Sequence, residues 1–204
     1  MPTHPSPRLT PRLATTVAST LLVPAVALAH SGHAGSDAFM SGAMHALTGL
    51  DHLTALLALG AWSVRLDARQ RWALPAAVLM AMAGGALLGA AMPTFDGLDV
   101  LLASSLLLLG LLSAMLQRLP QGTLLPLAAT FAVLHGLAHG ASMASATTHT
   151  PWLGGMLAAS ACLIALGAAL CARFLRRADA DQLHARRRGM GATVAAIGAA
   201  LLLA

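Results

Sequence analysis

Long apolar runs alternate with short polar segments along most of the chain. A bilayer core of about 30 Å requires roughly 20 helical residues. Six runs in this chain reach or approach that length, near residues 41–62, 73–92, 98–117, 123–143, 152–173 and 188–204. The polar segments between them are too short to bury a core of their own. The pattern predicts an all-α, polytopic membrane bundle of six transmembrane helices that forms one domain over residues 30–204.

The N-terminal segment has the pattern of a cleavable signal peptide. Arg8 and Arg12 precede a mostly small and apolar run over residues 13–28, and Ala27-Leu28-Ala29 gives the A-x-A pattern of a cleavage site. Cleavage after Ala29 would remove residues 1–29. An uncleaved first helix is the alternative. Either reading places the residues that follow outside the cytoplasm.

Composition agrees with a membrane protein. Hydrophobic residues make up 57% of the chain and charged residues only 9%, with mean hydropathy +0.75, whereas soluble domains carry about a quarter charged residues. The sequence pI is near 11.3, yet the arginines form no stripe with aromatic partners. We therefore expect no nucleic-acid partner.

The arginines predict the orientation of the bundle. Beyond the signal segment they all fall in the first, third and fifth loops, as Arg65, Arg69, Arg71, Arg118, Arg173, Arg176, Arg177, Arg186, Arg187 and Arg188. These loops lie on one side, which the positive-inside rule assigns to the cytoplasm. Both mature termini are then outside. The opposite loops carry Asp96, Asp99 and His149, which would attract cations.

The first predicted span carries ionisable residues inside an apolar segment. His45 and His52 are seven residues apart, so they lie on nearly the same helix face, and Asp51 precedes His52. An ionisable group at this depth costs about 2.5–3.5 kcal/mol on insertion scales. This cost favours a functional site over a single structural histidine.

The fourth predicted span repeats this feature. His135 and His139 are four residues apart and share one face, which suits two imidazoles on one metal ion. Gly136 and Gly140 repeat at the same spacing and would let another helix approach closely. Because the first span runs inward and the fourth outward, His45 and His139 should lie outermost, with Asp51, His52 and His135 deeper. The two halves would then be inverted repeats, a common arrangement in transporters.

These ligands favour a borderline divalent cation. Imidazole and carboxylate groups suit nickel, cobalt, zinc or copper(II). His30 and His33, at the start of the mature chain, are secondary candidate ligands. Cys162 and Cys171 lie about half a turn apart around one helix and cannot share an ion. We expect the metal to be transported cargo, with no prosthetic group.

Two other functions fit the same residues. An intramembrane hydrolase acting on lipid amides could hold zinc with three histidines and Asp51, with Ser142, Ser104 or Ser105 as helpers. A metal-sensing subunit that does not transport is the second alternative. The acidic, His-bearing outer face favours ion capture and therefore transport over either.

The motifs resemble those of the HupE/UreJ family of nickel and cobalt permeases. The resemblance rests on His45-x5-Asp51-His52 in the first span and on His135-Gly136-x-Ala138-His139-Gly140 in the fourth. It extends over essentially the whole mature chain. It implies a permease of the bacterial inner membrane, without an ATPase and without enzymatic activity, that supplies nickel to hydrogenase or urease through their maturation proteins. It also implies that the metal is recognised by His45, Asp51, His52, His135 and His139.

Two positions depart from the family's motifs. The family usually follows its first histidine with Pro, where this chain has Ala46. The second motif usually ends in an acidic residue, where this chain has Ser142. Losing that carboxylate removes one anionic oxygen ligand and one negative charge.

Restoring the acid tests the second departure. We expect Ser142→Glu to raise the affinity for nickel, because a carboxylate adds a charged ligand to an imidazole set. Nickel uptake over a range of concentrations measures it, with Ser142→Gln as the uncharged control of similar size. Unchanged or lower affinity in Ser142→Glu would argue against a ligand role at this position.

Overall fold

The computed structural model describes residues 34–92, 96–115, 121–144, 149–175 and 180–204. All regular elements in these ranges are helices: α1 (Ala34–Thr48), α2 (Leu50–Ser63), α3 (Ala68–Ala91), α4 (Leu98–Ala114), α5 (Gln121–Ala144), α6 (His149–Leu175) and α7 (Ala180–Leu203). The predicted all-α class is confirmed. The predicted signal peptide, His30 and His33 lie outside the described residues.

Three of the described segments are long and apolar enough to cross a bilayer. They are Ala68–Ala91, Thr123–Gly140 and His149–Phe174. The helix Leu98–Ala114 is also apolar but shorter, at 17 residues. These three candidate spans coincide with the second, fourth and fifth predicted spans.

The first predicted span contains two helices where its apolar pattern suggests one. Helix α1 ends at Thr48, and Gly49 adopts an extended conformation (φ −70°, ψ 114°) before α2 begins at Leu50. The break loses little hydrogen bonding, because Gly49 N still donates to His45 O at 3.3 Å and Leu53 N donates to Gly49 O at 2.8 Å. Its consequence is that Asp51 lies in the first turn of α2, where the partial positive charge of the helix N-terminus stabilises a carboxylate.

The helices pack in three principal groups. Helices α1 and α2 both lie along α6, α3 lies along α5, and α4 lies along α7. A two-fold axis that relates spans one to three with spans four to six would produce this arrangement. It would exchange the pair formed by the first and fifth spans with the pair formed by the fourth and second spans. The pair formed by the third and sixth spans would map onto itself.

Glycines bring the backbones of α3 and α5 into close approach. A Cβ placed on Gly85 would lie 2.3 Å from Val133 O, and one on Gly136 would lie 2.2 Å from Met82 O. Farther along, a Cβ on Gly89 would lie 2.3 Å from Leu137 O. The residue numbers rise together on both helices, so α3 and α5 run in the same direction.

The other two groups have directions of their own. Gly42 on α1 packs on Trp152 and Gly60 on α2 packs on Ile164, so the two helices of the first span, taken together, run in the same direction as α6. Helices α4 and α7 are antiparallel, because Gly110 packs on Ala195 whereas Gly198 packs on Leu107. Helices α1, α2, α5 and α6 meet around the histidines.

Adjacent glycines in α3 provide a test of the close packing. We expect Gly85→Ala to destabilise the protein by about 1–3 kcal/mol, because the added methyl group overlaps a backbone carbonyl and forces the helices apart. Gly84→Ala is the matched control, since a Cβ there meets nothing within 4 Å, and it should be neutral or stabilising by up to about 1 kcal/mol. Unfolding of the purified protein in detergent measures both, and equal effects would contradict the close packing at Gly85.

Candidate metal centre

Three histidines from three helices form a continuous hydrogen-bonded row. His45 Nε2 on α1 lies 2.8 Å from His139 Nδ1 on α5, and His139 Nε2 lies 3.0 Å from His52 Nδ1 on α2. His139 therefore bridges the two halves of the broken first span. Its ring meets His45 edge-to-face at a centroid distance of 4.7 Å and His52 at 4.6 Å.

The other two predicted ligands lie beside this row. The His135 ring centroid is 6.3 Å from that of His52. Asp51 is half-buried at the start of α2 and close enough to interact electrostatically with His45, His135 and His139. The structure thus brings together all five residues that the sequence singled out. It pairs His45 with His139 and places His135 near His52.

Two residues of α6 also belong to this cluster, and the sequence alone did not indicate them. Ser160 is fully buried, its Oγ is 3.1 Å from His52 Nε2, and its hydroxyl donates to Met156 O at 2.8 Å. The Trp152 ring lies 5.4 Å from that of His45. A serine among small apolar residues is an ambiguous signal. Only the packing of α2 on α6 identifies Ser160 as a partner of His52.

The other acids and serines that the sequence suggested differ in their positions. Asp96 and Asp99 are exposed around the start of α4. Ser105 is buried and lines the same small cavity as His52 and His135, and its hydroxyl donates to Leu102 O in its own helix. Ser142 falls within α5, and its side chain lies outside the described part of the structure.

The hydrogen bonds along the row of rings all run in one donor-to-acceptor direction. The single hydroxyl proton of Ser160 is donated to Met156 O, so Ser160 Oγ accepts the proton on His52 Nε2. A neutral His52 then has a lone pair on Nδ1, which accepts from His139 Nε2–H. By the same argument His139 Nδ1 accepts from His45 Nε2–H. One hydroxyl on α6 therefore fixes the tautomers of three imidazoles.

His135 has the opposite tautomer. Its Nδ1–H donates to Phe131 O at 2.9 Å, which leaves the lone pair on Nε2. The side chain is 5% exposed, and Nε2 is buried with no partner among the described residues. Metal-binding histidines commonly have this arrangement, in which a carbonyl holds one ring nitrogen and leaves the other for the metal.

His135 and His52 both line a small cavity. Its volume is about 20 Å³, enough for about one water molecule. The rest of its lining is largely apolar and includes Met82, Leu106 and Phe131. An ion at this point would be surrounded mostly by apolar side chains, and the polar groups of the lining are the two imidazoles and the Ser105 hydroxyl.

The cluster is not arranged as a preformed cage for an ion. Across residues 34–92, 96–115, 121–144, 149–175 and 180–204, no three His, Cys, Asp or Glu side chains are grouped so as to hold one metal ion. The lone pairs of His52 Nδ1 and His139 Nδ1 are already engaged by neighbouring rings. These rings would have to turn away from each other before they could bind a shared ion.

The assigned tautomers can be tested directly. Nitrogen NMR of the purified, metal-free protein, with its imidazoles ¹⁵N-labelled and neutral, should show Nε2–H on His45, His52 and His139 and Nδ1–H on His135. Single histidine variants assign the signals.

Ser160→Ala should release the His52 tautomer and lower the free energy of unfolding by about 1–3 kcal/mol, because a buried N–H loses its acceptor. Ser63→Ala is the control, since this buried hydroxyl donates to Gly60 O in its own helix. A mobile His52 tautomer in the unaltered protein would contradict the row.

Comparisons with known proteins agree with the motifs in these helices. The family model described as "HupE / UreJ protein" matches residues 18–201. The protein named Protein HupE, from Rhizobium leguminosarum bv. viciae, is 35% identical over 190 residues, covering 93% of this chain and 96% of the relative. The search of solved structures finds no match. Given the extent of both sequence matches, the chain belongs to the HupE/UreJ family.

Proposed function

We propose that this chain is a permease of the bacterial inner membrane that carries a divalent transition-metal ion, nickel or cobalt, along a path through the histidine cluster. The observation that carries the proposal is the convergence of four histidines from α1, α2 and α5 beside Asp51, between apolar helices. Imidazole and carboxylate are suitable ligands for these ions. Family membership supports the same reading.

The proposed topology has six transmembrane helices after a cleavable signal peptide, with both mature termini outside. Three observations support it. Three described segments are long enough to span. The first and fifth spans are parallel, as are the second and fourth, whereas the third and sixth are antiparallel; this is the relation that strict alternation across a bilayer requires. The described arginines lie just after α2, at the start of α3, at the end of α6 and in the first half of α7, which all fall on one side of such a bundle.

The ion would move between ligands at different depths. His45 and His139 form the outer pair, and His52 with His135 forms the deeper pair. The buried lone pair of His135 Nε2 provides a first strong ligand without any ring rotation. Binding by His52 Nδ1 or His139 Nδ1 requires a hydrogen bond of the row to open, so the gain in binding energy is offset by the cost of breaking that bond. Because this cost weakens net binding, the ion can be released, and passage is favoured over permanent retention.

Asp51 supplies the negative charge of the site. Its carboxylate lies at the helix break, within electrostatic reach of three imidazoles. A dication in an apolar bundle requires a compensating charge, and Asp51 is the acidic residue in the cluster. Zinc and copper(II) prefer similar ligands and would compete. We further propose that the ion supplies a metalloenzyme such as hydrogenase or urease through its maturation proteins.

Uptake of radioactive nickel and cobalt in cells expressing the chain tests the proposal. We expect His135→Ala and His52→Ala each to lower uptake at least about tenfold, because each removes a nitrogen ligand. Asp51→Asn should also lower it, through loss of charge at nearly constant size. His184→Ala, at an exposed position on α7, is the control and should retain uptake at equal protein abundance.

The outcomes separate the candidate functions. Uptake that survives both histidine variants would overturn the transport path proposed here. Hydrolysis of a lipid amide by the purified protein, abolished by zinc chelation, would instead favour an intramembrane hydrolase.

A further inference from the structure

A second cavity lies between α2, α4, α6 and α7, far from the histidines. Its volume is about 50 Å³. Trp62 and Cys171, which line it, follow His52 and Ser160 by ten and eleven residues on α2 and α6. At 1.5 Å per helical residue, the cavity is about 15 Å from the histidine row. It is a separate feature, and the proposed metal site does not account for it.

Two arginines give this cavity its charge. Arg65 and Arg187 both line it, and the charges of both guanidinium groups reach Cys171. The other lining residues are uncharged: Ala58, Ala61, Trp62, Ser113, Cys171, Met190, Gly191 and Val194. We refer to it as the arginine cavity. A guanidinium group has no lone pair to offer a metal ion, so the cavity is unsuited to binding the metal.

Arg187 lacks part of its hydrogen bonding. Its Nε atom is buried and has no partner among the described residues. Its neighbours on α7 differ: Arg186 donates to Phe174 O and stacks on the Phe174 ring, and Arg188 is exposed. A buried guanidinium N–H without an acceptor is costly. An anion in the cavity would remove that cost.

We propose that the arginine cavity binds a phosphate group, carried by an anionic phospholipid or by free inorganic phosphate. The guanidinium fork matches phosphate oxygens and forms paired, charge-assisted hydrogen bonds with them. The mostly apolar walls suit the glycerol and upper acyl region of a lipid whose headgroup reaches the two arginines. Basic pockets between transmembrane helices recognise lipid headgroups in this way.

Lipid binding to the full-length purified protein tests the proposal. Native mass spectrometry with phosphatidylglycerol and phosphatidylcholine measures the preference for an anionic headgroup, and thermal unfolding with added inorganic phosphate measures the free anion. We expect phosphatidylglycerol to bind at least about tenfold more tightly than phosphatidylcholine. Arg187→Gln should abolish that preference, and Arg187→Lys should retain part of it, because lysine keeps the charge without the fork.

Arg188→Gln is the matched control. It removes the same charge one residue away at an exposed position and should leave the preference within about twofold. Should Arg187→Gln not fold, Arg65→Gln provides the same test from α2. Stabilisation by inorganic phosphate that is lost in Arg187→Gln would identify free phosphate as the ligand and support the site. The proposal would be overturned if the protein bound phosphatidylglycerol no more tightly than phosphatidylcholine and was not stabilised by inorganic phosphate. An equal loss of the preference in Arg187→Gln and Arg188→Gln would also overturn it.

Discussion

Polar rings buried between apolar helices must satisfy their hydrogen bonds within the protein, and the histidine cluster depends on this constraint. His45, His139 and His52 satisfy one another, and the row ends at Ser160 and the Met156 carbonyl. It therefore ties α1, α2, α5 and α6 together in one arrangement. His135 is the exception, because its Nε2 lone pair remains unpartnered among the described residues. The constraint that organises the site thus also leaves one nitrogen ready for an ion.

Close helix packing makes the row possible. On α5, glycines and histidines alternate so that one helix serves two neighbours. Gly136 and Gly140 contact the α3 backbone, while His135 and His139 face the broken first span. Larger residues at the glycines would push α5 away from α3 and shift both histidines. Packing and ligand placement are therefore coupled in the same short segment.

Two regions of the bundle carry opposite chemistry. The histidines and Asp51 offer nitrogen and carboxylate ligands to a cation, whereas the arginine cavity about 15 Å away presents two guanidinium groups. A cation passing along this bundle would be attracted in one region and repelled in the other. A bound phosphate group would lower that barrier, which connects the proposed anion site to the proposed transport.

The sequence alone determined the fold class, the apolar segments and the residues that converge. Hydrophobic run length predicts helices, and the cost of burying His and Asp in an apolar segment singles out the five candidate ligands. The sequence also predicted similar depths for His45 and His139, because the first and fourth spans run in opposite directions. Tertiary structure decided the rest. The apolar pattern continues through Gly49, so it could not reveal the helix break, and Ser160 and Arg187 acquire their roles from contacts more than 100 residues away in the chain. Periodicity reports only which residues share a helix face. Which face meets which neighbour depends on the close approach of small residues, and that is a property of the folded bundle.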